Sequence, residues 1–377
     1  MLRASGMDVL NRVSMRLTAI GVRAVCRAIS VPFLLIVCRA LLSPGLAVHA
    51  QGAGTLLEPQ SFFREQVRLS DAQIAMIAHG TAIAKVLPSR NPTEIFVFGA
   101  VFVNATPQEY VKLALDPEKI RRLPGYLGAG RFSDPPRLSD LAGFTLEPDD
   151  VRDLKICRPG RCDVQLPAAA MQDLQRKLDW SQPDISTKVN DRVREMALDI
   201  LGRYREAGNR VLGIYDDSIH PFDVNEQLRS LLGRSEALPV YVPELNRYLL
   251  DYPSIKQSGV ESLFYWERVD FGLKPTLRLN HAISYQSAGP GGTAQVVAVK
   301  QLYASHYLQL ALDLTACVSA SGRSSDKGFY LISLKGSIQQ GLTGFKGSIL
   351  RRIVVSRTRT AQEQSLMIIK KTLEAKR

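Results

Sequence analysis

Residues 94–110 combine a strand with the start of a helix and read Glu-Ile-Phe-Val-Phe-Gly-Ala-Val-Phe-Val-Asn-Ala-Thr-Pro-Gln-Glu-Tyr. The part from Glu94 to Val103 is rich in β-branched and aromatic residues and is apolar on both alternating sets of positions, which predicts a strand. Such a strand is covered on both faces, or it lines an internal cavity on one of them. Gly99 lies in its middle and predicts a bulge or a bend.

The residues that follow predict the start of a helix. Thr106 can cap the helix, Pro107 suits its first position, and Glu109 can complete a capping box with Thr106. We expect this helix to weaken at Asp116, because the residue before a proline disfavours the helical conformation.

The remaining periodicity predicts an α+β protein. Helical patterns cover 168–178, 187–204, 226–232 and 244–250. From Val260 the apolar period changes to two, which predicts strands at 262–268, 276–285, 295–303, 307–318 and 329–335. Short turns between successive strands predict an antiparallel sheet. The order is therefore a helical extension at 51–93, a first strand and helix at 94–123, a mostly helical insertion at 124–259, and the sheet with a terminal helix at 260–377.

The terminal helix is expected over about 347–376. Its apolar stripes predict that five residues pack on the sheet: Ile349, Ile353, Leu366, Ile369 and Leu373. Its basic residues are expected to lie mainly in water: Arg351, Arg352, Arg359, Lys370 and Lys371.

This order of elements resembles the START-like, helix-grip superfamily, which includes polyketide cyclase-like proteins. The stretches that carry the resemblance are 102–110 and the Leu-Asp-Pro-Glu step at 115–118. The resemblance implies that the segments 94–123 and 260–377 form an antiparallel sheet gripping the long C-terminal helix. It also implies an apolar cavity between sheet and helix, where family members hold lipids, sterols and other hydrophobic molecules, or catalyse ring closures. The insertion at 124–259 is far longer than the connection usual in that superfamily.

Composition excludes several classes of protein. The 377 residues are 45% hydrophobic and 22% charged, which is ordinary for a globular protein and excludes a largely disordered chain or a collagen. The net charge of +12 is concentrated at the two ends, because 1–50 and 346–377 together carry the whole excess. The pattern lacks the basic stripe with interleaved aromatics that is typical of a nucleic-acid binder. The basic C-terminal helix is expected to be solvated or, alternatively, to contact an anionic membrane.

The N-terminus predicts a signal peptide at 1–50. An apolar run at 28–38 follows several arginines, and Val48 and Ala50 form a small-residue cleavage pattern. The protein is therefore expected in the periplasm or outside the cell. The alternatives are an inner-membrane anchor formed by an uncleaved signal, and a translation start at Met7 or Met15.

The cysteines are consistent with export. Cys157 and Cys162 flank Arg-Pro-Gly-Arg, and Pro-Gly favours a type II turn that would bring the two cysteines together. A disulfide is predicted there; two free thiols or a metal site are the alternatives. Cys317 lies in an apolar run and is predicted to be a buried free thiol.

The candidate ligand-binding residues are Tyr303, His306, Lys300, His281, Trp266 and Phe98. Strict alternation along 300–307 predicts Tyr303 on one face of a strand and Lys300 with His306 on the other. The alternative is structural: a His306 satisfied within the sheet and a Lys300 at its rim. The run Lys-Gln-Leu-Tyr-Ala-Ser-His-Tyr at 300–307 also resembles one in a group of secreted bacterial proteins, a resemblance that implies no activity.

Three functions remain open from the sequence. The first is binding of a hydrophobic small molecule or lipid in the cavity, and the second is an enzyme that uses the same cavity with His306 and Tyr303 as acid/base groups. The third is an envelope interaction protein that uses the basic terminal helix. No motif in the sequence predicts a cofactor or a metal.

Overall fold

The computed structural model describes residues 58–233, 242–255, 258–271, 274–289, 292–319 and 328–375. Its main strands are β1 (Ile83–Leu87), β2 (Glu94–Val103), β3 (Tyr126–Arg131), β6 (Val260–Val269), β7 (Thr276–Gly289), β8 (Gly292–Ala304), β9 (Leu308–Ser319) and β10 (Phe329–Gln339). They form one antiparallel sheet in the order β1-β2-β10-β9-β8-β7-β6-β3. Two short strands, β4 (Ile214–Tyr215) and β5 (Phe222–Asp223), pair separately.

The helices in the described residues lie before, within and after the sheet. They are α1 (Pro59–Glu65), α2 (Asp71–Ala78), α3 (Pro107–Ala114), α4 (Pro117–Ile120), α5 (Pro148–Leu154), α6 (Ala168–Lys177), α7 (Ile185–Ala207), α8 (Val224–Gly233), α9 (Pro243–Asp251) and α10 (Gly344–Glu374). The prediction of an α+β fold with an antiparallel sheet and a long C-terminal helix is confirmed.

Strands β6 to β10 form a meander in which each strand pairs with the next. The first predicted strand, β2, joins the free edge of β10. Two strands of this sheet were not predicted from the sequence. β1 lies within the expected helical extension at 51–93, and β3 lies in the insertion expected to be mostly helical; both form outer strands of the sheet.

The capping box predicted at α3 is present. The Thr106 side chain accepts a hydrogen bond from the backbone N–H of Glu109, and the Glu109 carboxylate accepts one from the backbone N–H of Thr106 at 2.8 Å. These bonds satisfy two backbone donors that the first turn of a helix cannot pair internally. They fix the direction in which α3 leaves β2.

The prediction at Gly99 was a bulge or a bend, and a bulge is absent, because the register of β2 runs through this residue without a shift against both neighbours. The glycine instead allows α10 to approach the sheet closely. A Cβ atom at this position would lie 2.7 Å from Cδ1 of Leu366 and 2.9 Å from Gln362. The absent side chain therefore places α10 against β2.

Only the second half of α10 packs as predicted. Leu366 and Leu373 are buried and Ile369 is partly buried against the same cluster. The prediction for Ile349 and Ile353 is wrong, because these side chains are 50% and 46% exposed. The first half of the helix contacts the sheet through a different face, with Val354 and Val355 against β1 and β2.

Two of the basic residues on α10 are not solvated as expected. Arg351 donates hydrogen bonds to the Pro92 carbonyl at 2.9 Å and to the Ser89 hydroxyl at 3.0 Å. Lys370 donates to the Phe102 carbonyl at 3.0 Å. Both therefore fasten the helix to the ends of β2, whereas Arg352, Arg359 and Lys371 are exposed as expected.

The opposite face of the sheet carries a second layer. The insertion, including α5 to α9, shares one hydrophobic core with β6 to β9. Helices α1 and α2 cover β2 and β10 beside it, where Phe63 of α1 contacts Phe98. The sheet thus lies between this layer and the layer of α3 and α10, and the described residues belong to one compact unit.

The disulfide between Cys157 and Cys162 is present. Gly160 has a φ of +81°, as the predicted turn requires, and Arg158 and Arg161 form a β-bridge across it. Cys317 is a buried free thiol, as predicted. None of the helices in the described residues could cross a membrane, and the predicted signal peptide lies outside those residues.

Candidate ligand-binding site

A cavity of about 120 Å³ lies between the sheet and α10. Strands β6 to β10 form one side, α10 forms the opposite side, and α3 and α4 close a third. Its apolar lining includes Leu113, Ile120, Val297, Val299 and Leu366. A dry engineered cavity of roughly 150 Å³ accepts benzene, whereas pockets for drug-sized ligands begin near 300 Å³. The space therefore suits one compact molecule.

A buried ion pair lies on the sheet side of this cavity. Glu267 of β6 and Arg278 of β7 are directly opposite each other in the strand register, and Nη1 of Arg278 lies 2.7 Å from Oε1 of Glu267. Nε of Arg278 also donates to Oε1 of Gln301 at 3.3 Å. Both charged side chains are buried and both line the cavity.

Two buried polar atoms at the cavity lack a partner. Neither Nη2 of Arg278 nor Oε1 of Gln362 has a hydrogen bond to any described residue. Buried polar groups are normally paired, and leaving one unpaired costs about 1–3 kcal/mol. Among the described residues that line the cavity, Arg278 therefore offers a free donor and Gln362 a free acceptor.

The charges around the cavity balance. Glu267 and Arg278 form one opposite pair, and Asp313 and Lys335 form a looser one at 4.0 Å with both side chains partly exposed. Burial raises the pKa of Glu267, although Arg278 opposes this shift. Because a buried net charge is costly unless it is paired, a balanced lining favours a neutral ligand over an ion.

Three tyrosines also line the cavity: Tyr110, Tyr126 and Tyr265. Burial is the largest cause of a raised pKa for each of them. Their hydroxyls therefore stay protonated at neutral pH and keep a hydrogen to donate.

The six residues predicted from the sequence all lie on the other face of the sheet. None is among the residues that line the cavity. Phe98 packs on α1, and Trp266 packs on Phe144 while its Nε1 donates to the Asp140 carbonyl at 2.7 Å. These two aromatic side chains belong to the packing between the sheet and its helical layer.

The structure brings Lys300 and His281 together on adjacent strands, beneath the insertion. Nζ of Lys300 donates to Oδ1 of Asn209 at 2.6 Å and lies 4.7 Å from the ring centroid of Tyr204. The Tyr204 hydroxyl is 3.1 Å from Nδ1 of His281. Burial lowers the pKa of Lys300 to about 7, and burial followed by the nearby Lys300 lowers the pKa of His281.

His306 takes part in a separate set of contacts at the end of β8. Its Nδ1 lies 2.9 Å from the Asp163 carbonyl and its Nε2 lies 3.0 Å from Oδ2 of Asp150. Lys274 contacts the other oxygen of Asp150 at 3.3 Å. Burial opposes ionisation of Asp150, but the hydrogen bonds and charges of His306 and Lys274 outweigh it and lower the pKa of Asp150.

Tyr303 also packs against the insertion, where its ring contacts Tyr215. The prediction that Tyr303 and Lys300 lie on opposite faces is wrong. A register shift places Asn280 opposite Gln301 but Leu279 opposite Tyr303, so the strict alternation is broken between these residues. The acid/base role expected for His306 and Tyr303 in the cavity is not supported, since neither residue reaches it.

Sequence reasoning missed the cavity residues Glu267, Arg278 and Gln362. A signal for the first two exists: in β7 the polar residues Thr276, Arg278 and Asn280 alternate with apolar neighbours, and an acidic residue occupies the adjacent strand. Without the register, however, the sequence does not show that Glu267 and Arg278 meet. In a comparison with known proteins, no protein-family model and no curated protein matches this chain.

Proposed function

We propose that the protein binds a compact, neutral and largely apolar molecule in the cavity between the sheet and α10. The observation that carries this proposal is the unpartnered Nη2 of Arg278, a buried donor on a residue that lines a partly apolar cavity. A ligand oxygen that accepts from this nitrogen would satisfy it, and the apolar lining would cover the rest of the ligand.

The proposal includes the START-like, helix-grip assignment, in which this space is the ligand site. The antiparallel sheet, the capped helix after β2 and the long α10 across the sheet support it. A lipid with a long acyl chain would need more room than about 120 Å³, so a lipid ligand requires α10 to move away from the sheet.

The test measures binding of three probes that share a six-membered ring. Cyclohexanone carries a neutral acceptor, cyclohexane carries no polar group, and cyclohexanecarboxylate carries a negative charge. Methyl NMR shifts of Leu113, Val297, Val299 and Leu366 report entry into the cavity, because these side chains line it. We expect cyclohexanone to shift these methyl signals at the lowest concentration. If none of the probes shifts them, the proposed site is wrong.

A matched pair of variants separates the cavity from the surface of α10. Ser365 lines the cavity, whereas its neighbour Gln364 is exposed. Ser365→Leu should fill the space and weaken cyclohexanone binding at least tenfold, while Gln364→Leu should leave binding unchanged. Equal binding by both variants would place the probe elsewhere.

A further inference from the structure

An exposed apolar surface occurs at the end of the sheet where β8 and β10 finish and α10 begins. Among the described residues, the three most exposed large hydrophobic side chains are Ile219, Phe345 and Ile156, at 84%, 83% and 72%. They lie on three different segments of the chain. Isolated apolar side chains on a surface are ordinary, so their meaning depends on whether these segments are neighbours.

Hydrogen bonds join the three segments. The disulfide loop that follows Ile156 donates from the Gly160 and Cys162 backbone N–H groups to the carbonyls of Asp216 and Asp217. Ile219 follows two residues later. Nε2 of Gln340, in the turn before α10, donates to Oδ2 of Asp217 at 2.9 Å, and Phe345 follows in the first turn of that helix.

The apolar surface continues along the first half of α10. Ile349 and Ile353 follow Phe345 at intervals of four residues, and Leu350 is beside them. Positions four apart lie on one side of a helix. All three side chains are at least one third exposed, so this half of α10 presents an apolar stripe to solvent.

Basic side chains surround these apolar residues. Lys155, Arg158 and Arg161 are exposed on the disulfide segment, and Lys346 and Arg352 are exposed on α10. The acidic groups nearby are four aspartates. Asp153 and Asp163 contact Lys274, Asp216 accepts from the Ala168 backbone N–H, and Asp217 is buried. Basic residues therefore outnumber acidic ones at this surface.

We propose that this surface, which we name the basal surface (Ile156, Ile219, Phe345 and the α10 stripe with their basic neighbours), docks on an anionic lipid bilayer. Protruding apolar side chains enter the boundary between headgroups and acyl chains, and adjacent Lys and Arg side chains contact the lipid phosphates. Side chains that project from separate segments of the chain suit a deformable lipid surface. A protein partner usually needs a continuous, complementary patch of about 800 Å². This inference does not depend on the ligand proposed for the cavity.

Vesicle flotation tests the proposal with the full chain, and the variants described below all keep the apolar run at 28–38, so its contribution is the same in each. The probes are vesicles of phosphatidylcholine alone and of phosphatidylcholine with about one third phosphatidylglycerol. We expect binding to the anionic vesicles only, reduced at least tenfold at high salt, because salt screens the charges.

Matched variants locate the contact. Phe345→Ser, Ile219→Ser and Lys346→Glu should each weaken vesicle binding at least fivefold. Leu138→Ser removes an exposed apolar side chain elsewhere, and Lys371→Glu reverses a charge about 38 Å further along the same helix; both should bind as the parent does. Because the substituted side chains are exposed, melting temperatures should stay unchanged and show that every variant is folded.

The proposal would be overturned by absence of binding to anionic vesicles, or by an equal loss in Lys371→Glu and Lys346→Glu. A separate measurement tests whether the basal surface enters the lipid. In Phe345→Trp the new indole should be quenched by brominated lipids, whereas in Leu138→Trp it should not. Equal quenching in the two variants would contradict entry of the basal surface into the lipid.

Discussion

Lys300 shows how a residue that resembles a functional group in the sequence can serve the packing of two layers. Its ammonium group is fully buried, has Asn209 as its hydrogen-bond acceptor and lies over the ring of Tyr204. Burial disfavours the charged form and lowers the pKa to about 7. The residue therefore makes the stability of the protein depend on pH.

The direction of this dependence follows from proton linkage. The unfolded chain holds a lysine proton up to about pH 10.4, whereas the folded protein releases it from about pH 7. Between these values the unfolded state binds more protons, so this residue makes stability rise with pH. Below about pH 7 both states are charged, and the full cost of the buried charge remains.

Lys300→Met should remove this dependence. We expect the difference in unfolding free energy between variant and parent to change by a few kcal/mol between pH 6.5 and pH 10, to the parent's benefit at high pH. Urea unfolding at a series of pH values measures it. The exposed Lys371→Met serves as the control and should follow the parent curve. A Lys300→Met curve parallel to that of the parent would show that Lys300 does not titrate near pH 7.

His306 and Arg278 are both buried, but they differ in whether all of their side-chain nitrogens have a partner. His306 has its two ring nitrogens against Asp150 and the Asp163 carbonyl, so its hydrogen-bonding capacity is used within the protein. Arg278 is also buried but keeps one nitrogen without a partner in the described residues. An unsatisfied atom on a residue that lines a cavity, more than the residue type, distinguishes a candidate site from a structural contact.

At the scale of elements, α10 divides into two halves with different energetic roles. Leu366 and Leu373 are buried against β2 and α3, whereas Ile349 and Ile353 face solvent. Leu373→Ala should lower the unfolding free energy by about 2–5 kcal/mol, because it leaves a cavity in the core. Ile353→Ala should change it by roughly 0.5 kcal/mol, as is usual at the surface.

Urea unfolding of the two variants at one pH checks this prediction. The Leu373→Ala variant tests whether α10 is held on the sheet by its C-terminal half. If Ile353→Ala were as destabilising as Leu373→Ala, the first half of α10 would be packed, and the basal surface would lose its apolar stripe.

The features that could be predicted from the sequence depend on residues close together in the chain. The capping box of Thr106 and Glu109 spans three residues, and the turn between Cys157 and Cys162 depends on Pro-Gly within it. Strand periodicity likewise placed β6 to β10 near their observed bounds. In each case the physical cause acts locally.

The features that escaped prediction depend on pairing between distant strands or on contacts between layers. Tyr303 changes face because of a register shift against β7, and Glu267 meets Arg278 only through the register of β6 and β7. Gly99 faces a helix that is more than 250 residues away in the chain. The candidate cavity is formed by such contacts, which is why its polar residues were missed.

At the scale of the whole molecule, the insertion and the sheet share one hydrophobic core. Leu249 of α9, Tyr204 of α7 and Leu279 of β7 belong to the same buried cluster. The polar contacts between Lys300 and Asn209, and between His306 and Asp150, cross the same boundary. Neither layer can be exposed to water without uncovering apolar side chains and buried polar groups of the other.

We therefore expect the insertion and the sheet to unfold in a single transition. The two tryptophans of the chain report on the two layers, since Trp180 lies in the insertion and Trp266 lies in β6. In Trp266→Phe and in Trp180→Phe the remaining tryptophan fluorescence should follow the same urea curve as far-UV circular dichroism, as a two-state transition requires. Leu249→Ala removes a buried side chain on the insertion side of the core. Added to either variant, it should lower the unfolding free energy reported by the remaining tryptophan by the same amount, about 2–5 kcal/mol. If this change moved the Trp180 transition and left the Trp266 transition in place, the insertion would be a separate folding unit, and the shared core would not couple the two layers.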